Sequence, residues 1–434
     1  MLKVLHLNSN DNSGGAAKAS YRINSSFGKL DKILIDSKMR VIKKTTNDND
    51  IKGGAPIYQN KLQRKLHPYL TLFFKLGFKP TTQTGLSTCL INTGLGKEIN
   101  NLYESKKIDI VNLHWLGDNT ISISEIGKLK PPIVWTLHDQ WPFCGTEHYS
   151  NSNYFGRTIN EEERFISGYL KSDLEALENI NDLNRTIWLK KKRLWRKKMN
   201  IVCPSKWMEN CVKKSALMQN WSTNVIPNPI DVNFWIPINK TLAKKSLNLD
   251  PNKLMILYMS SSGKSSYRKG VDLFIKSINK LQQKFINNEN ENFELLIFGD
   301  SNPFEKSKPF LKYQFLGPQK DDITLRLIYS AADLFVISSR QDNLPNVGIE
   351  SHSCGTPVVA FNTGGLEDIV DHEKTGLLAN PFDTDSFSDL IYRILKEKDL
   401  RLEMSRKARE RALRKWSMEV ISALYFNLYK KIVF

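Results

Sequence analysis

Ten short apolar runs recur along the chain: 3–8, 108–115, 132–139, 200–205, 224–228, 253–260, 293–300, 312–317, 334–339 and 356–361. Most are continuous rather than alternating, which is the pattern of strands covered on both faces of a parallel sheet. Between them lie helical stretches such as 270–285 (GVDLFIKSINKLQQKF) and 322–332 (DITLRLIYSAA). The alternation predicts an α/β chain of repeated βαβ units. The runs fall into two series. The first ends at Ile226-Pro227-Asn228-Pro229-Ile230-Asp231, a two-proline link, and the second restarts near Lys253. The expected organisation is two Rossmann-like, doubly wound domains. Residues 1–235 with a returning C-terminal helix 416–434 form the first, and 236–415 the second. Two such domains facing each other would hold a ligand in the cleft at the carboxyl ends of both sheets. The polar stretch 286–292 (INNENEN) reads as a loop tip, and no repeat of fixed period is visible.

Charge changes the picture. Sixty-three Lys and Arg oppose 45 Asp and Glu over 434 residues, a formal net charge of +18. Such an excess calls for nucleic acid, an anionic membrane or an anionic substrate as partner. Two acid-free segments concentrate it: 61–79, with five basic residues among Tyr69, Leu70, Leu72, Phe73, Phe74, Leu76 and Phe78, and 185–198, with eight. In the second, Ile187, Trp188, Leu194, Trp195 and Met199 fall on one side of a helix. That stripe suits either packing on its own domain or a basic amphipathic helix lying on an anionic membrane. Nucleic acid is set aside, for lack of an aromatic RNA-binding motif, zinc finger or helix-turn-helix. A hydrophobic share of 40% excludes a disordered chain. The five scattered cysteines, with no C-x-x-C pair, argue for a reducing compartment and against a disulfide scaffold. The N-terminus reads as a strand rather than a signal peptide, and no apolar run reaches the ~20 residues of a membrane span. The expected location is therefore cytoplasmic, peripheral on the inner face of the cytoplasmic membrane.

The block with the most chemistry is Gln341-Asp342-Asn343-Leu344-Pro345 through Glu350 to Cys354-Gly355-Thr356-Pro357-Val358-Val359. It follows the run 334–339 and places Asp342 in a loop and Glu350 on the next helix, where free backbone N–H groups and the helix dipole suit a hydroxyl-rich anion. A Gly364-Gly365 loop then opens another helix. Two other features are discounted. Asp383-Thr384-Asp385 resembles a metal-binding D-x-D but stands where a helix N-cap is expected. The histidines show no metal-ligand spacing, and Gly14-Gly15 is not the G-x-G-x-x-G of a nicotinamide site, so neither a metal nor a cofactor is expected.

This block closely resembles the donor-binding signature of family 4 glycosyltransferases, which have the GT-B fold: E-x7-E, then C-G-x-P-V-V, then a Gly-Gly loop. The resemblance extends along the chain. Ser13-Gly14-Gly15-Ala16-Ala17 follows the first strand, and Cys203-Pro204-Ser205 and Ile226–Asp231 are similar to the family's PS and IPNGID elements. Arg268-Lys269-Gly270 matches its basic KG element, and His138-Asp139 in 136–150 resembles the subgroup that builds colanic acid and related surface polysaccharides.

The resemblance implies roles. Lys269, with Arg268, would neutralise the leaving diphosphate, Glu350 would accept hydrogen bonds from the donor ribose, and Asp342 with the backbone of Asn343 and Leu344 would hold the sugar hydroxyls. Gly15 would allow close backbone approach, and His138 would sit over the donor sugar. Gly14, Asp139 and Trp141 would line the acceptor side. The catalytic set would be His138, Asp342 and Lys269. The chain departs from the pattern at three places: Asp342 replaces a Glu, Pro229 replaces a Gly, and the arginine before the KG element is displaced. Lys264 or Arg268 takes its place, with Arg268 favoured.

The expected activity is metal-independent, retaining transfer of a sugar from a nucleotide diphosphate sugar to an oligosaccharide or lipid-linked acceptor, in cell-surface polysaccharide biosynthesis such as lipopolysaccharide or capsule. The alternative is a catalytically degenerate protein of the same fold, docking to an anionic membrane or polymer through 61–79 and 185–198.

Overall fold

The computed structural model describes residues 1–30, 33–55, 87–154, 157–170, 182–261, 264–284, 293–305, 309 and 311–434. The basic segment 61–79, the polar stretch 286–292, Ser262 and Gly263 lie outside the described residues, as does the side chain of Lys264.

The chain divides into two units: Met1–Asn228 with Ile421–Phe434, and Pro229–Val420. The first boundary falls inside the two-proline link, seven residues before the expected 235–236 break. The reason is packing. Ile230, Val232 and Trp235 belong to the second unit's core, and the Ile230 N–H donates to the Trp416 carbonyl at 2.8 Å.

The first unit contains β1 (Leu2–Asn10), β2 (Ile35–Lys43), β3 (Ile51–Lys52), β4 (Ile110–Leu113), β5 (Ile133–Thr136), a separate antiparallel pair β6 (Asn151–Tyr154) and β7 (Arg157–Asn160), β8 (Asn200–Cys203) and β9 (Thr223–Val225). Seven of these form one parallel sheet in the order β3-β2-β1-β4-β5-β8-β9. The central strands β4 and β5 are buried at every position, as continuous apolar runs demand. β2 and β3 were absent from the sequence reading. β2 carries Lys38 and Arg40, and it holds Arg40 in the interior only because Glu98 receives its guanidinium.

The helix Leu183–Leu194 settles what the apolar stripe of 185–198 does. Ile187, Trp188, Trp195 and Met199 are all buried in the first unit's core, so the stripe packs on its own domain and is not presented to a membrane. Lys191 goes inward too. Its ammonium donates to the carbonyls of Cys144 and Gly145 at 2.9 and 2.7 Å and to that of Trp141, and stands 3.9 Å over the Trp141 ring. Lys192, Arg193, Arg196, Lys197 and Lys198 remain exposed.

The C-terminal helix Met418–Val433 brings Tyr425 and Tyr429 into the first unit. Their hydroxyls bond Thr136 and Asn112 at 3.1 and 2.6 Å, beneath β5 and β4. A break at Ser417, where ψ turns to 148°, separates this helix from Lys398–Trp416.

The second unit contains β10 (Leu254–Ser260), β11 (Phe293–Gly299), β12 (Tyr313–Phe315), β13 (Leu334–Ile337), β14 (Val358–Phe361) and β15 (Gly376–Ala379), all parallel, in the order β12-β11-β10-β13-β14-β15. In both units the chain starts in mid-sheet, builds outward to one edge, then crosses back. That is doubly wound, Rossmann-like topology, and its switch points are β1/β4 and β10/β13. Asp383 caps the helix Thr384–Lys396, its Oδ1 accepting from the backbone N–H groups of Asp385 and Ser386 at 3.0 and 3.1 Å. It is thus a structural cap, as its position before an apolar periodic stretch suggested.

Candidate functional site

Ligands of doubly wound sheets sit beyond the carboxyl ends of the strands at the switch point. In the second unit that point is where β10 and β13 end, and a small pocket there is lined by Lys269, Ser338, Ser339 and Val347 among others. The chain from β10 forms a short helix, Lys264–Lys269, closed by Gly270 in the left-handed region at φ 67°. A Cβ at Gly270 would stand 1.9 Å from the Ser338 carbonyl oxygen, so only glycine lets this turn lie on the end of β13. The Ser338 hydroxyl donates to the Lys269 carbonyl at 3.0 Å, and the Arg340 N–H to the Arg268 carbonyl at 2.8 Å.

This docking brings Lys269 and Arg268 onto Asp342. The Lys269 ammonium pairs with Asp342 Oδ2, Arg268 Nη1 lies 3.5 Å from Oδ1, and the same Nη1 donates to the Gln341 carbonyl at 2.8 Å. Asp342 also accepts from the Asn343 N–H at 3.1 Å. Burial alone would raise the Asp342 pKa, but the Lys269 and Arg268 charges outweigh it and hold the carboxyl below its ordinary value. Burial pulls the Lys269 ammonium below its ordinary value against the Asp342 charge.

The Gly-Gly loop closes the cluster from the other side. Gly364 has φ 58°, a Cβ there would meet the Asp342 carbonyl oxygen at 2.4 Å, and the Gly365 N–H donates to that oxygen at 2.9 Å. The basic-Gly element, the acidic loop and the Gly-Gly loop, 73 residues apart between Lys269 and Asp342, therefore form one construction around a carboxylate and two cations. Glu350 lies deeper, 3% exposed on the helix Asn346–Ser353, and accepts from the Tyr329 hydroxyl at 3.2 Å. Leu344 is a core residue of this unit, leaving its backbone rather than its side chain to any ligand.

In the first unit the switch point is β1/β4. Gly14 there takes φ 88° at the start of the helix Gly15–Ser26, and a Cβ on it would meet nothing within 4 Å. The strained conformation that glycine supplies is thus at Gly14, and Gly15 is the first helical residue. His138, after β5, joins two histidines that motif reading had passed over. His6 Nδ1 lies 2.9 Å from His114 Nε2, and His114 Nδ1 lies 3.0 Å from His138 Nε2. The rings stack in sequence with centroids 5.2 and 5.3 Å apart. Burial lowers all three: His6 to about 3, His114 well below its ordinary value, with His6 and His138 adding to its shift, and His138 to about 4, against the opposing charge of Asp139. All three are neutral near pH 7. The recoverable signal was a histidine within or just past each of three adjacent strands, β1, β4 and β5.

Asp139 is turned to another partner. Its Oδ2 pairs with His148 Nδ1 at 2.6 Å, and His148 Nε2 contacts the Ser87 hydroxyl at 2.8 Å. Trp141 is 2% exposed, beneath Lys191, and donates its indole N–H to the Ser87 carbonyl at 2.7 Å. The ring proposed for an acceptor is therefore packed inside the unit. Among the described residues no group of three or more His, Cys, Asp or Glu is placed to hold a metal ion, and no helix is long and apolar enough to cross a membrane.

Residues 239–411 match the family model "Glycosyl transferases group 1". An uncharacterized glycosyltransferase of Methanocaldococcus jannaschii is 28% identical over 194 residues, 43% of this chain and 47% of the relative. The N,N'-diacetylbacillosaminyl-diphospho-undecaprenol alpha-1,3-N-acetylgalactosaminyltransferase of Campylobacter jejuni is 26% identical over 197 residues, 45% of this chain and 49% of the relative. The chain spans about half the length of these curated relatives, or less in others it matches. Along its whole length the fold is that of GT-B proteins: the sucrose-phosphate synthase of Thermosynechococcus elongatus superposes with a TM-score of 0.66 at 17% identity, covering 99% of both chains.

Proposed function

We propose that this protein is a retaining glycosyltransferase that moves a sugar from a nucleoside diphosphate sugar to a lipid-linked oligosaccharide acceptor in the biosynthesis of a cell-surface polysaccharide. The observation that carries this reading is the Lys269–Asp342–Arg268 cluster held between two glycine turns at the β10/β13 switch point, inside the segment that matches the group 1 family. The relative from Campylobacter, whose name places its acceptor on diphospho-undecaprenol, supports the acceptor class.

In this reading Lys269 and Arg268 exchange part of their pairing with Asp342 for the donor's diphosphate. They then neutralise the charge that develops as the glycosidic bond to the phosphate breaks, with no metal needed for that step. Arg268 supplies a planar fork and Lys269 a point charge. Asp342, freed from its cations, accepts from the sugar hydroxyls, with the N–H groups of Asn343 and Leu344 beside it. Glu350 accepts from the ribose. The leaving phosphate takes the proton of the incoming acceptor hydroxyl on the same face of the sugar, so configuration is retained. The exposed cations Lys192, Arg193 and Arg196–Lys198 draw the protein to an anionic leaflet by charge alone, since the apolar stripe of that helix is already used.

The test is turnover with a panel of UDP-, GDP- and ADP-sugars. One base series is expected to support sugar release or transfer, with Lys269→Ala and Glu350→Ala inactive. No donor bound or turned over, with both variants indistinguishable from the parent in cells, overturns the enzyme reading and leaves the binding-protein alternative.

A further inference from the structure

The turn that carries the two cations is tied to the acidic loop by a second set of contacts, centred on Arg340. The Arg340 N–H donates to the Arg268 carbonyl at 2.8 Å, and its guanidinium folds back over the same turn. Nη1 donates to the Tyr267 carbonyl at 2.7 Å. Nη1 and Nη2 together fork onto Asp272, reaching Oδ1 and Oδ2 at 2.7 and 2.6 Å. The guanidinium carbon stands 4.0 Å from the centre of the Tyr267 ring. Arg268 reaches the other way, to the Gln341 carbonyl at 2.8 Å. The two arginines form a reciprocal clasp, each side chain closing on the backbone beside the other.

The clasp and the Asp342 cluster hold one turn by different means. Asp342 holds Lys269 and Arg268 through their charges, and those are the charges an anionic ligand competes for. That tether weakens when the two cations turn to the anion. None of the Arg340 contacts uses Asp342, so they persist. The Arg340 side chain is only 11% exposed, and its two-pronged bond to a carboxylate is a geometry that a lysine's point charge does not reproduce. Asp272 stands in the first turn of the helix Val271–Gln283, where the helix dipole favours its negative charge. The turn is thereby fastened to a helix end, and less freedom is lost when the cations close on a ligand.

We propose that Arg340 is a positioning residue: its clasp on Tyr267 and Asp272 keeps Lys269 and Arg268 in place for an anionic ligand while their pairing with Asp342 is given up. That the anion is a nucleoside diphosphate rests on the function proposed above; the clasp does not.

The experiment compares the full chain with Arg340→Gln, Arg340→Lys and Asp272→Asn in two measurements. Amide hydrogen exchange read by mass spectrometry is expected to rise at residues 264–273 in Arg340→Gln, and by less in the other two, with β11 and β14 unchanged. Titration of UDP, GDP and ADP is expected to show the diphosphate that the parent binds held about tenfold more weakly by Arg340→Gln, with partial recovery in Arg340→Lys. In a Lys269→Ala background the same change should cost about threefold or less, because Arg340 acts through Lys269. Exchange at 264–273 that is unchanged, or raised evenly across the second unit, overturns the proposal, as does an affinity equal to the parent's. A loss undiminished in the Lys269→Ala background also overturns it, since Arg340 would then touch the ligand itself. If Arg340→Gln fails to fold, Asp272→Asn decides by the same readings. A parent that binds none of the three nucleotides overturns the function proposed above, and inorganic pyrophosphate then reads the anion site. Weaker pyrophosphate binding in Arg340→Gln, with exchange raised at 264–273 alone, supports the clasp; no binding, or equal binding, overturns it.

Discussion

Replacing Asp342 by Asn keeps the shape of the side chain and removes the charge that Lys269 and Arg268 share. The side chains involved are nearly enclosed, with exposures of 8% for Asp342, 17% for Lys269 and 16% for Arg268. Breaking a fully buried pair costs roughly 3–5 kcal/mol, because the surviving charge is left uncompensated. Residual water contact at Lys269, and Arg268's second bond to the Gln341 carbonyl, reduce that here, so about 2–3 kcal/mol is expected at pH 7. The sign with pH follows from the Asp342 pKa being lowered on folding. Its stabilisation is present above the carboxyl's ordinary value of 3.8 and is lost as pH falls through the lower, folded value. The difference between parent and Asp342→Asn should therefore be full at pH 6–7 and shrink toward acid pH. Urea unfolding followed by tryptophan fluorescence measures it, with the two units allowed separate transitions. A difference under about 0.5 kcal/mol at pH 7, as for an exposed pair, would refute the reasoning, as would a difference that grows toward acid pH.

Gly270→Ala is expected to destabilise the second unit by at least about 2 kcal/mol, through its left-handed φ and the Ser338 carbonyl, and to abolish donor binding; Gly28→Ala, whose Cβ meets nothing within 4 Å, should be neutral or slightly stabilising by thermal melting. Gly364→Ala should act like Gly270→Ala, since its Cβ would press on the Asp342 carbonyl, and unchanged nucleotide affinity in a folded variant would count against the Gly-Gly loop shaping the site. Trp188→Ala should cost about 3–5 kcal/mol, because the ring lies in the first unit's core. Neutralising Lys192, Arg193 and Lys197 together should leave melting unchanged and weaken salt-sensitive co-sedimentation with anionic vesicles; binding indifferent to salt and to these changes would remove the membrane proposal.

The strands that sequence revealed are those whose burial is symmetrical. β4, β5, β13 and β14 are apolar at almost every position because helices and neighbouring strands enclose them. β2 escaped because its interior positions include Arg40, tolerable only with Glu98, which lies 58 residues on. β15, Gly376–Ala379, starts at a glycine and carries only two large apolar residues, Leu377 and Leu378, so no apolar run marks it. The acidic loop, the basic-Gly element and the Gly-Gly loop were legible as separate motifs; that they share one carboxylate depends on β10 and β13 being neighbours, which follows from sheet order and not from spacing. The histidine chain was hidden for the same reason, its members being separated by 108 and 24 residues. The basic helix was ambiguous in principle. An apolar stripe bordered by lysines fits a protein core and a bilayer equally, and Lys191, turned inward onto three carbonyls, breaks the pattern that either reading assumes.

The central claim is that Lys269 and Arg268 receive a nucleoside diphosphate. Isothermal titration of UDP, GDP and ADP into the parent and into Lys269→Ala tests it directly. One diphosphate is expected to bind the parent, and to bind Lys269→Ala about 10- to 100-fold more weakly, as the loss of a charged hydrogen bond to phosphate requires. No binding by any of the three, or equal affinity in parent and variant, would contradict it.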